Sequence, residues 1–138
     1  MFVTDQDYKV VIGTTALSVI TQADADNRAR AESEAVEEIS GYLRPKYDVA
    51  AIFAATGTSR NAHLVMITCD VALYHLCSSI GQKMGSEVRK ERYDRAIKWL
   101  EGVNRGSIVP DLPLATDESG ESATPIHFGS EPRHKNTW

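Results

Sequence analysis

The chain has 138 residues, 42% of them hydrophobic and 25% charged, which fits one domain with one core and leaves no room for two full domains. Its 15 basic and 19 acidic residues give a formal net charge of −4. That balance disfavours wrapping of nucleic acid by the whole surface, but not passage of DNA through an acidic pore.

At the N-terminus, Thr4, Asp5, Gln6 and Asp7 precede Tyr8, Val10, Val11 and Ile12, the pattern of a short capped helix stopped at Gly13. Asp5 and Asp7 stand where a secretion signal would carry positive charge, so none is expected. From Ala23 to Leu43, the positions Ala25, Ala29, Glu32, Val36, Ile39 and Leu43 step by three and four. They predict an amphipathic helix with a narrow seam, and Pro45 is expected to push Arg44 out of helical geometry. Residues 44–60 form a long connection, with a short helical turn predicted at 49–54; loops of this length are either functional or ordered by their own contacts.

Asn61 to Ile80 reads as a helix of about 30 Å. One arc holds Val65, Met66, Cys69, Ala72, Leu73, Leu76 and Ile80, and a second holds Leu64, Ile67 and Val71, which predicts a central position in a bundle. A membrane span is the rival reading, disfavoured by Asp70 and His75. Cys69 and Cys77 are eight positions apart on this helix, about 12 Å, too far for a disulfide, and suit a reducing compartment as small hydrophobes. After Gly81 and Gly85, with Ser86 as cap, Tyr93, Ala96, Ile97, Leu100 and Val103 form the buried stripe of the next helix, and Gly106 stops it.

Four of the five prolines, at 110, 113, 125 and 132, lie beyond that stop. The expected organisation is an all-α bundle over residues 1–106, with three main helices plus a short N-terminal one. Residues 107–138 would follow as an extended, partner-docking tail.

No phosphate-binding, dinucleotide-binding, nucleophile-elbow or zinc-protease motif is present. His63, His75, His127 and His134 do not combine with the cysteines at metal-ligand spacing, so no metal, cofactor or catalytic residue is expected. Glu34, Glu37 and Glu38 read as a solvated helix face rather than catalytic carboxylates. Asp70, in a polar strip with His63 and Tyr74, needs a partner if it is buried, and Arg89 or Arg92 on the following helix can supply a structural ion pair.

The ordered series GYLRPKYDVAAIF (41–53), CDVALYHL (69–76), RYDRAIKWLEGVNRG (92–106) and HFGSEPRHKNTW (127–138) resembles the Mu-like family of tailed-phage head–tail connector proteins, found in phages and prophages. The stretch from Thr14 to Ala23 corresponds least. The resemblance implies a small helical adaptor, not an enzyme. Its copies would form a ring, commonly twelvefold, beneath the portal protein, in the virion neck between capsid and tail, after assembly in the bacterial cytoplasm. Its partners would be the portal, neighbouring copies, tail or stopper proteins and non-specific DNA in the channel, with no membrane. Carried onto this chain, Ile126, Phe128, Arg133, His134, Lys135 and Trp138 would be the docking contacts. A helical DNA-binding regulator is the alternative, opposed by the acidic 23–43 helix; a small enzyme would have only Asp70 with His63 or His75 to work with.

Overall fold

A computed structural model describes residues 1–21, 24–80 and 86–116. Within them the chain is all-α, as expected. Six helices run in order: α1 (Asp5–Val11), α2 (Thr14–Thr21), α3 (Ala25–Leu43), α4 (Val49–Ala54), α5 (Ala62–Ile80) and α6 (Ser86–Arg105). A 3-10 turn at Gly57–Ser59 lies between α4 and α5.

The N-terminal helix begins with a reciprocal cap. Asp7 N–H donates to Thr4 Oγ1 at 3.4 Å, and Thr4 N–H donates to Asp7 Oδ2 at 2.7 Å. Gly13, at φ +82°, separates α1 from α2. The second helix is the element that sequence reasoning missed. Its TTALSVIT composition is rich in β-branched residues, which are weak helix formers. Tertiary contact overrides that preference: Leu17 and Thr21 are buried, and the Thr21 hydroxyl donates to Leu17 O at 3.0 Å.

The long third helix also differs from its predicted face. Its buried positions are Ala31, Glu32, Ala35, Ile39, Ser40 and Leu43, while Ala25 and Ala29 are exposed. The helix ends after Leu43 without the expected distortion of Arg44, whose φ −48° and ψ −39° remain helical. Pro45 removes a backbone donor, and the chain leaves through amides of Lys46 and Tyr47 that both bond Leu43 O. Asp48 then caps α4 through Ala51 N–H at 3.0 Å, so the 44–60 connection is ordered by its own contacts.

Helix α5 is the axis of the bundle, touching α1, α2, α3 and α6. Leu64, Ile67, Cys69, Val71, Ala72, Leu73 and Leu76 are buried along it, but Met66 is 37% exposed, against the sequence expectation. None of the described helices is long and apolar enough to cross a membrane. On α6, Ala96, Leu100 and Val103 are buried and Tyr93 and Ile97 partly so. Gly106, at φ +81°, ends the helix where the sequence placed its stop.

The chain does not leave the bundle at Gly106, as the expected tail boundary required. Ile108 and Leu112 pack on the core, and Ile108 N–H donates to Gly102 O at 3.1 Å. Gly102 has to be small here, because a Cβ would stand 2.7 Å from Ile108 Cδ1. Further on, Asp48 N–H donates to Pro113 O, Ala115 N–H donates to Lys46 O, and Tyr47 and Leu114 form an antiparallel bridge. Residues 107–116 are therefore an extended strap held on the domain. Lys46 fastens the same corner by donating to Asn104 O at 2.9 Å, a cation at the carbonyl end of α6.

Candidate interaction surface

Asp70 is buried in the middle of α5, and Arg92 Nε donates to its Oδ1 at 2.6 Å. Of the two arginines the sequence offered, Arg92 makes the bond. Arg89 lies half-buried one turn earlier on α6, with its Nη1 buried and lacking a hydrogen-bond partner. Burial, and then the charge of Arg92, depress the Arg89 guanidinium. The other members of the expected polar strip are spent on ring contacts. His63 packs on Trp99 with centroids 4.9 Å apart, and Tyr74 stacks on Tyr93 at 4.0 Å.

A second ion pair stands across the surface from the first. Arg60 Nη1 donates to Asp7 Oδ2 at 2.6 Å and to Phe2 O at 2.7 Å, and Arg60 Nε donates to Gly57 O at 3.1 Å. Burial alone would raise the Asp7 carboxyl. The Arg60 hydrogen bond, followed by those from the Thr4 backbone and hydroxyl, outweighs burial and holds Asp7 below the usual carboxylate range.

Between these two pairs lies a groove of about 520 Å³. Its floor and walls are apolar, with Val10, Val11, Ala62, Val65, Met66 and Cys69 contributed by α1 and α5. Val10 is 80% exposed there. Burial pushes the Cys69 thiol up to about 12, so this cysteine acts as a small apolar residue rather than a nucleophile. An open apolar groove with charged pairs at its rim is suited to receiving another polypeptide surface.

Two further clusters lie elsewhere on the bundle. Glu38, read from sequence as part of a solvated face, instead joins three helices. His75 Nε2 lies 2.7 Å from Glu38 Oε2, and the Tyr93 hydroxyl donates to Glu38 Oε1. The available signal was helical phase, since Glu38 stands three positions after Ala35 and seven after Ala31, both buried. Glu37 does face water and pairs with Arg44 at 2.8 Å. Among the described residues, no group of three or more His, Cys, Asp or Glu side chains is placed to hold a metal ion.

The other cluster is Tyr8 with Glu32. Arg28 Nε is 3.3 Å from Glu32 Oε1 as an ion pair, and the buried Tyr8 hydroxyl lies against the same carboxylate. Burial raises the Glu32 carboxyl above its ordinary 4.5. A raised folded-state value means that the folded chain holds the proton more tightly. The associated stability is full below 4.5 and is lost as pH rises through the folded-state value. Glu32→Gln should therefore melt higher than the native chain at pH 7, with the advantage vanishing as pH falls below 4.5. Melting curves at the two pH values test this, and an equal gap at both would contradict it.

The expected docking residues Ile126, Phe128, Arg133, His134, Lys135 and Trp138 lie outside the described residues. What the geometry defines is an all-α bundle with an apolar groove between two ion pairs, and comparison places it among Mu-like phage proteins. The family model described as Bacteriophage Mu, Gp36 matches residues 2–127, and the chain belongs to that family. Ile126 falls inside the matched stretch, whereas Phe128 and the residues after it fall beyond it. No curated protein and no solved structure matches the chain.

Proposed function

We propose that the chain is a structural virion protein, a head–tail connector whose copies close a ring beneath the portal for DNA to pass through. The observation that carries this reading is membership of the Mu Gp36 family across residues 2–127, together with the ordered connector-like motifs quoted above. The physical features agree with it. One small bundle cannot enclose a channel, but head-to-tail copies can, and the apolar groove provides a surface for such a contact. A net charge of −4 gives DNA little to adhere to as it passes. The role is non-enzymatic and needs no cofactor. In this reading the partners are the portal, neighbouring copies in a ring whose twelvefold symmetry is set by the portal, and a stopper or tail protein below. The protein then resides in the virion neck.

The test is to mix the protein with a portal assembly and image it by electron microscopy. The expected result is an added ring layer, and its absence would overturn the connector reading. With residues 122–138 deleted, the layer should be lost or greatly reduced, because the tail would supply much of the affinity through linkage. Equal addition by the truncated chain would remove the tail from the docking scheme.

A further inference from the structure

The groove between α1 and α5 is apolar and open to solvent. Val10, 80% exposed, and Met66, 37% exposed, line it together with Ala62 and Val65. We propose that in the free protein this groove is occupied by residues 125–128 of the same chain, with Ile126 and Phe128 seated against Ala62 and Met66 on the α5 side. This goes beyond the connector reading and does not depend on it.

Composition selects the segment. Beyond Thr116, Ile126 and Phe128 are the one pair of large apolar residues close together in sequence. In an extended chain, residues two apart point to the same side about 7 Å from each other. Ala62 and Met66 are separated by one helical turn, about 6 Å along α5. The spacing of the two side chains therefore matches the spacing of the two positions they would cover.

Chain length permits the return. The strap passes the end of the groove, where Asn61 Nδ2 donates to Asp111 O at 3.2 Å, one residue before Ala62. Thr116 lies five residues past Asp111, at most about 17 Å away, and Ile126 lies ten residues further, a reach of about 35 Å. A linker this short gives a local concentration of order millimolar, which favours the chain's own segment over a second copy in dilute solution.

Charge is compatible as well. Arg60 and Arg92 at the rim are already paired with Asp7 and Asp70, and residues 125–128 carry no Asp, Glu, Lys or Arg. Docking therefore buries no unpaired charge. Asp117, Glu118 and Glu121 fall in the linking stretch, which has only to span the distance in water.

The experiment replaces Phe128 in the full chain with the photocrosslinker p-benzoylphenylalanine and irradiates dilute protein. The expected product has monomer size on a denaturing gel, and peptide mass spectrometry places its adduct in α1 or the first two turns of α5. A dimer-sized product, an adduct elsewhere or no adduct would overturn the proposal. A second measurement uses the Ile126→Ser, Phe128→Ser double variant, whose changes lie outside the bundle. Peroxide oxidation of Met66 should be several-fold faster in it than in the native chain, and an unchanged rate would overturn the proposal.

Discussion

Arg92→Ala is expected to cost about 3 kcal/mol of folding stability, because it leaves the Asp70 carboxylate inside the bundle without its cation. The Asp70 side chain is 5% exposed and Arg92 is 32% exposed, so the two ends of the pair are not equivalent. Removing Asp70 instead leaves an arginine that water can still reach, so Asp70→Ala should cost less, about 2 kcal/mol. For a domain of this size, Arg92→Ala should then lower the melting temperature by roughly 10 °C. Arg89 is the control. Its buried Nη1 has no hydrogen-bond partner, so Arg89→Met should be neutral or slightly stabilising. Thermal melts of the three variants decide the matter. Were Arg89→Met to melt far below the native chain while Arg92→Ala matched it, the pairing would be assigned to the wrong arginine. The pair also matters for the surface, since Arg92 stands at the rim of the groove and Asp70 keeps it there.

The need for a partner at Asp70 was legible in the sequence because a carboxylate on an apolar helix demands one, and helical phase left only two arginines to choose between. Local phase could not choose further, since Arg89 and Arg92 are three apart and share a face. The cap at Thr4 and the stop at Gly106 follow the same logic: each is set by chemistry within a few residues. Features made by distant parts of the chain were hidden. Helix α2 exists because Leu17 and Thr21 find a place in the core, not because its residues favour helix. The strap at residues 107–116 reads as loop from its prolines, yet it is held by Lys46, Asp48 and Asn61, partners about 50 or more positions away. The groove was hidden for the same reason, as one wall comes from the N-terminal helix and the other from α5.

Leu73→Ala is expected to cost about 3–4 kcal/mol and Met66→Ala less than about 1 kcal/mol, although the two residues share one helical arc. Seven positions apart, they return to nearly the same phase on α5, and periodicity alone treats them as equals. Their surroundings differ. Leu73 is fully buried where α3 and α6 both flank α5, and truncation there opens a cavity that rigid neighbours cannot fill. Met66 lies nearer the start of α5, beside α1, which has only seven residues and leaves the groove open. A helix face is buried only where a neighbour is long enough to cover it, and that length is not written in the face itself. Denaturant unfolding of both variants measures the contrast. Equal losses would mean that Met66 belongs to the core of the bundle and not to the lining of the groove. The expected inequality instead identifies Met66 as a surface residue, apolar and available for contact, and its small cost in the bundle leaves its loss visible in whatever binds there.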